Sequence, residues 1–266
     1  MTEPGVVVKI ETKNGSRIAT VSVDQQKKLN CLDTSRVVAL RAAFERLAKD
    51  DELNAVVLTG AGNRSFIGGA DLDELGGLCA DSARLYITRL HMACKAIRHC
   101  PVPVIARVNG YCLGAGLEVA ASADMRVASD TAIFGMPEVH MGLPSVIEAA
   151  LLPGLIGWGK TREILLTGET FGAAEARAMG FVQKVVAPSE LDGAVAHWLD
   201  FIGRAAPTAI RNQKALMNRW ERTSVDEGIY AGIDALSDAY KTGEPQAAIA
   251  TFFAAKAKRK SSPFPG

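Results

Sequence analysis

The sequence predicts an α/β fold in which short buried strands alternate with helices, and three observations carry that expectation. Short strand-like segments, the apolar runs Ala55 to Leu58 and Val104 to Ala106 and the segment Met125 to Ala128, punctuate residues 54–128. Between them, apolar residues recur at three- and four-residue steps, the helical period. Such alternation means parallel strands joined by helical crossovers. Length is the third: 266 residues, 48% hydrophobic and 22% charged, suffice for one large domain or one domain with a smaller appendage. Periodicity leaves open whether the sheet is doubly wound or a spiral of repeated β-β-α turns, and no fixed-period repeat indicates a solenoid.

Two β-rich runs, Val6 to Glu11 and Arg17 to Val23, flank Lys13-Asn14-Gly15-Ser16. Asn-Gly tolerates positive φ, so an antiparallel hairpin is expected. From Asp33 to Asp50, Val37, Leu40, Phe44 and Leu47 form the apolar stripe of a helix capped by Asp33 or Thr34. Ala55 to Leu58 reads as a buried parallel strand running into the loop Thr59-Gly60-Ala61-Gly62. A second helix, about Ser82 to Arg98, stops before Pro101-Val102-Pro103, since proline restricts both itself and its predecessor. The strand Val104 to Ala106 follows. Leu117 to Ala121 is apolar almost all round, the mark of an interior helix, and Met125 to Ala128 is the next strand. From about Ser145 helix-compatible segments dominate, broken by Pro153, Gly168, the run Val182 to Val186 and Pro207. A boundary near residue 200 sets a core of residues 1–200 apart from a helical region, residues 201–266.

Charge works by exclusion. Lys+Arg 30 against Asp+Glu 29 leaves +1, so no global field attracts nucleic acid or an anionic membrane. No apolar run approaches the roughly 18 to 20 residues of a membrane helix. The start, Met1 to Gly5, carries neither a signal nor a transit pattern, and a cytoplasmic, unprocessed protein is expected. Five cysteines (Cys31, Cys79, Cys94, Cys100, Cys112) lie in apolar surroundings without C-x-x-C pairing, and are expected as reduced core residues. His91, His99, His140 and His197 have no i,i+4 partner and no thiolate pair, so no metal site is expected.

Three segments carry chemistry. In Arg64 to Leu72, the pair Gly68-Gly69 lets backbone N–H groups approach one acceptor closely, although an ordinary strand-to-helix loop also favours glycine. In Gly114-Ala115-Gly116-Leu117-Glu118, glycines precede a helix whose first N–H groups favour developing negative charge. A dinucleotide site fails in detail here: Val119 takes the third small position, and no acidic residue follows at a fitting distance except Glu138 beside Pro137. In Phe134 to Gly142, Glu138 is flanked by apolar groups, as Glu118 is. Burial without a cationic partner raises a carboxyl toward neutrality, as a general acid or base requires, whereas a solvent-facing position leaves it an ordinary surface group.

Together, Ser65-Phe-Ile-Gly-Gly-Ala-Asp-Leu72, Val108-Asn-Gly-Tyr-Cys-Leu-Gly-Ala-Gly-Leu-Glu118, Phe134-Gly-Met-Pro-Glu138 and Leu166-Thr-Gly-Glu-Thr170, with Ala176 and Gly180-Phe-Val182, resemble the enoyl-CoA hydratase/isomerase family, the crotonases. The likeness runs in order from Lys27-Lys-Leu-Asn30 to Pro263-Phe264. It implies an α/β spiral of ββα units holding a coenzyme A thioester, with a helical C-terminal region that assembles trimers or dimers of trimers. It places the oxyanion hole at the peptide N–H groups of Ala70 and Ala115; alanine is tolerable at the second position, because the role needs backbone geometry only. It assigns catalysis to Glu118 and Glu138 as well, and thioester binding to Lys27, Gly69, Ala70, Asp71, Leu72, Gly114 and Ala115. It implies no metal and no cofactor, coenzyme A being part of the substrate.

Departures from the family pattern are visible too. The turn after Glu138, Gly142-Leu-Pro144-Ser-Val-Ile-Glu-Ala-Ala150, is one residue shorter than in hydratases, Asp73 stands where lysine is frequent, and Gln25-Gln26 replaces Arg-Pro. Phosphate recognition then rests on other cations, and the tail Lys256, Lys258, Arg259 and Lys260 is either a solvated helix end or such a contact. The expected activity is enoyl-CoA hydration. The alternatives are Δ3,Δ2-enoyl-CoA isomerisation or another acyl-CoA reaction, and a non-catalytic binding or scaffold protein. The helical stripe Ile229, Ile233, Leu236 and Tyr240 fits an oligomer interface, or alternatively a monomer's own core.

Overall fold

The chain begins with strands β1 (Thr2–Glu3), β2 (Val6–Lys13) and β3 (Ser16–Val23), and Asn14 and Gly15 take φ of 51° and 80° in the two-residue turn between the last two. Positive φ at both positions is the hairpin turn that Asn-Gly predicts. Helix α1 (Thr34–Leu47) follows, and the Asp33 carboxylate accepts the Arg36 N–H at 2.8 Å as its cap. The computed structural model describes residues 2, 3 and 5–261, with side chains over 5–257. Pro263-Phe264 and the side chains of Lys258, Arg259 and Lys260 lie outside the described residues; Lys256 is exposed.

Three turns of one pattern come next. Strand β4 (Leu53–Gly60) leads to β5 (Ser65–Ile67) and helices α2 (Leu72–Leu75) and α3 (Ala80–Arg98); β6 (Val104–Val108) leads to β7 (Tyr111–Leu113) and α4 (Ala115–Ala121); β8 (Met125–Ser129) leads to β9 (Ile133–Gly135) and, after two 3-10 turns at Pro137–Met141 and Ile147–Leu151, to α5 (Leu152–Thr167). Strand β10 (Thr170–Gly172), α6 (Ala173–Ala178), β11 (Lys184–Val186) and α7 (Leu191–Arg204) complete this unit. The first strand of every turn joins one sheet, ordered β1-β2-β3-β4-β6-β8-β11, and the second joins another, ordered β10-β9-β7-β5. Strands β4, β6 and β8 are parallel neighbours, as are β5, β7 and β9, so each turn stacks on the one before. This is the ββα spiral of the crotonase fold. Periodicity left it unresolved because the inner strands are only three residues long, shorter than any pattern window.

The contacts divide the chain into residues 1–202 and residues 203–266. In the second unit are α8 (Pro207–Trp220), α9 (Val225–Tyr240) and α10 (Glu244–Ser261). Ser224 and Glu227 form a reciprocal capping box at the start of α9. Ile229, Ile233, Leu236 and Tyr240 are all exposed on the single chain, so the stripe is not covered by the chain itself.

In the first unit, Phe134 stacks on Phe171 and meets Phe181 edge-on, at centroid separations of 5.7 and 5.8 Å. Helix α4 is buried throughout, so its terminal carbonyls need partners inside the protein. Arg126 supplies them: its guanidinium donates to the carbonyls of Ala120, Ala123 and Phe181 at 3.0, 2.8 and 2.6 Å and lies over the Phe181 ring. Burial lowers its pKa to about 10. Arg126→Met is expected to lower unfolding free energy by about 2 to 4 kcal/mol, because buried acceptors lose charged donors together. A urea midpoint unchanged from wild type would refute this.

The cysteines do not all fill the core. Cys94, Cys100 and Cys112 are buried, but Cys31 is half-buried and Cys79 is exposed at the start of α3. Helix initiation at Ala80 holds Cys79 at the surface, where its N–H donates to Ser82 Oγ at 2.9 Å. Among the described residues no His, Cys, Asp and Glu cluster fits a metal ion, and no helix is long and apolar enough to cross a membrane.

Candidate active site

Ala70 and Ala115 each follow the second strand of successive turns of the spiral, and both line one cavity. After β5, Gly69 takes φ of 121°, open to glycine and strained for other residues. Leu32 donates to the Gly69 carbonyl and accepts from the Asp71 N–H, both at 2.9 Å. In the trans Gly69-Ala70 peptide the Ala70 N–H lies opposite the Gly69 carbonyl and so points away from Leu32, and Ala70 lines a cavity. After β7, Gly114 takes φ 50° and ψ −120°, and its N–H donates to the Gly135 carbonyl at 2.9 Å. This turn leaves the Ala115 N–H as the first orphan donor of α4. Among the described residues neither N–H has a protein acceptor.

Both carboxyls face the same cavity, about 680 Å³ in volume. Glu118, one turn into α4, is only 3% exposed, and its Oε1 accepts the Ala149 N–H at 3.1 Å. Burial raises its pKa to about 9; Glu138 and Glu148 add repulsion, and the Ala149 N–H opposes the rise. Glu138 is half-buried on the 3-10 turn Pro137–Met141, and its Oε2 accepts from Ser145 Oγ at 2.9 Å. A Cβ on Gly114 would lie 2.5 Å from Glu138 Oε1, which measures how closely this carboxyl approaches the peptide before Ala115. Ser145 thus fixes one carboxyl oxygen of Glu138 and leaves the other beside that peptide.

Apart from Arg84, His140 and Ser145 the remaining wall is mostly apolar, with Leu72, Leu75, Leu90 and Val146 in it. Tyr86 also lines it, but its hydroxyl donates to the Leu32 carbonyl at 2.8 Å and burial pushes its pKa upward. It is a wall, not an acid. Of the residues the sequence singled out, Gly69, Ala70, Leu72, Gly114, Ala115, Glu118 and Glu138 line the cavity. Lys27 does not; it is exposed on the 3-10 turn Gln26–Lys28, whose neighbour Leu29 is the lining residue. Asp71 does not either. Its carboxylate caps α2 through the Asp73 N–H at 3.0 Å and pairs with Lys28 at 2.7 Å, and the same lysine holds Asp73. Asp73 is thus the partner of a neighbouring cation.

Sequence reasoning missed the residues that brace these loops. Asn30, buried at positive φ, donates to the carbonyls of Ala61 and Ser65, and Asn109 donates to those of Gly60 and Gly62. They tie the end of β4 to the start of β5. Glu148 was missed as well, although its setting, Val-Ile-Glu-Ala-Ala-Leu-Leu, is as apolar as that of Glu118.

A family model described as enoyl-CoA hydratase/isomerase matches residues 13–261. The chain belongs to the enoyl-CoA hydratase/isomerase family. A short-chain-enoyl-CoA hydratase of Clostridium acetobutylicum is 32% identical over 237 residues, 89% of this chain and 91% of that protein. A peroxisomal Δ(3,5)-Δ(2,4)-dienoyl-CoA isomerase of Arabidopsis thaliana is 28% identical over 83% of this chain and 84% of its own. The crystal structure of an enoyl-CoA hydratase from Bacillus anthracis superposes with a TM-score of 0.89 at 25% identity, covering 98% of both chains. Crotonase family membership implies an acyl-CoA substrate, and the family includes both hydratases and isomerases.

Proposed function

We propose that the protein is an enoyl-CoA hydratase, adding water reversibly across the double bond of a 2-enoyl-CoA thioester. The observation that carries this reading is the placement of two carboxyls, Glu118 and Glu138, on one apolar cavity together with the unengaged N–H groups of Ala70 and Ala115. The thioester oxygen sits between the two donors, each worth roughly 3 to 4 kcal/mol when negative charge develops on it. Glu118 takes a proton from water as the oxygen bonds to the β-carbon. The π electrons move to the α-carbon and carbonyl, and Glu138 delivers a proton to the α-carbon. One proton leaves water and one arrives on carbon, so the two carboxyls exchange protonation states. In reverse, protonated Glu118 assists the departing hydroxyl.

The protonation of Glu118 fixes a pH prediction. With its pKa raised to about 9, Glu118 holds the proton in the empty site at neutral pH, the state from which dehydration starts. Hydration starts from the tautomer with that proton on Glu138. Both directions need the pair to carry one proton, and raising the pH through about 9 removes it from Glu118. The kcat/KM for hydration and for dehydration should therefore fall together above that pH. An alkaline limb in one direction alone would contradict the scheme.

Isomerisation is the second reading, supported by the isomerase among the relatives, and it needs one carboxylate to shuttle a proton between carbons. Turnover of a panel of 2-enoyl- and 3-enoyl-CoA esters, resolved by product, decides between them. Activity should require no metal, nicotinamide or flavin, because backbone donors supply the electrophile; loss on dialysis against chelator with recovery on adding a divalent ion would oppose this. The exposed stripe on α9 supports a homo-oligomer, a trimer or dimer of trimers. Sedimentation at micromolar concentration should find no monomeric species.

A further inference from the structure

Behind Glu118, outside the cavity lining, lies a third buried acid that the scheme above does not use. Glu148 is 3% exposed, on the 3-10 turn Ile147–Leu151. Its Oε1 lies 2.9 Å from His91 Nδ1, and among the described residues its buried Oε2 has no hydrogen-bond partner. The residue before it, Ile147, takes φ of 41°, where a β-branched side chain is strained, so the surroundings determine the conformation of this turn. The residue after it, Ala149, supplies the N–H that Glu118 accepts. His91 is on α3, whose preceding residue Leu90 lines the cavity, and its side chain is 44% exposed.

An unsatisfied carboxyl oxygen in the interior is costly, and apolar replacement of a buried ion pair is often neutral or stabilising. Stability therefore gives no reason for an acid at this position, and proximity to the catalytic carboxyl gives one. We propose that Glu148 is a positioning residue for Glu118, anchored by His91: it fixes the turn that presents the Ala149 N–H and sets negative charge behind the catalytic carboxyl. The proposal rests on the water-adding reading. The groups facing Glu118 are Glu138 from the 3-10 turn Pro137–Met141, Glu148, and the buried Cys94 thiol of α3. Burial raises the pKa of Glu148 itself, and His91, Arg98 and Cys94, all on α3, oppose that rise and favour its charged form. Repulsion from Glu148 makes Glu118 hold its proton more firmly, and burial of both groups preserves that repulsion against solvent screening.

The test is the pH profile of kcat/KM for crotonyl-CoA hydration in Glu148→Gln, Glu148→Leu and Glu148→Asp. Removing the charge should move the alkaline limb to lower pH by about half a unit or more in both the Gln and the Leu variant. The Asp variant keeps the charge and should keep the limb near its wild-type position. In Glu148→Gln, kcat should fall by about tenfold with KM changed less than twofold, as for an effect on the chemical step. A purely structural role would lower activity in all three without moving the limb. A limb that stays in place in whichever charge-removing variant folds overturns the proposal. Failure of the wild type to hydrate any enoyl-CoA overturns the reading beneath it instead, and the positioning role falls with that reading.

Discussion

Glu118→Gln and Glu138→Gln are each expected to depress kcat for hydration of a short 2-enoyl-CoA by about 10²- to 10⁴-fold. Glutamine keeps the size of the side chain and can still accept the Ala149 N–H or the Ser145 hydroxyl, but it cannot exchange a proton. KM should change little, because the apolar wall and the Ala70 and Ala115 donors remain. The double variant should be scarcely worse than either single one, since both groups act on one water in one transition state. An isomerase would respond differently: Glu138→Gln would be the crippling change and Glu118→Gln the milder. Near-native rates in both variants on every thioester that binds would favour a non-catalytic scaffold.

Much of this site was legible because its signals are local. Asn14-Gly15 sets a turn, Asp33 caps a helix, and the glycines before Ala70 and Ala115 mark two loops that line the cavity, although the donor role of those two peptides came from the family resemblance. Glu118 was readable in part: an acid in a helix apolar almost all round fits a buried position, and the fold buries it. The inner sheet was not legible, since strands as short as Ser65–Ile67 and Tyr111–Leu113 are defined by partners one spiral turn away. Asp71 was expected to bind the thioester on the strength of the family resemblance, yet its carboxylate pairs with Lys28, remote in sequence, and does not line the cavity. Glu148 depends on His91, 57 residues earlier, a pairing that no local pattern announces.

Gly114→Ala is expected to lower kcat by about 10² to 10³, the loss that follows removal of one oxyanion donor. Two independent constraints act at this residue. Its φ of 50° with ψ of −120° lies in a region that costs other residues about 1 to 3 kcal/mol. Its added Cβ would also fall 2.5 Å from Glu138 Oε1, well inside contact distance. Either Glu138 retreats, losing its reach to the α-carbon, or the peptide rotates and turns the Ala115 N–H away from the thioester oxygen; both outcomes disable chemistry more than binding. Ala115→Gly is the matching control, because it changes a side chain and keeps the N–H, and its kcat should stay within about threefold of wild type. Urea midpoints for the two variants separate unfolding from inactivity. A folded Gly114→Ala enzyme with near-native kcat would remove the Ala115 N–H from the mechanism, leaving Ala70 to stabilise the oxyanion alone.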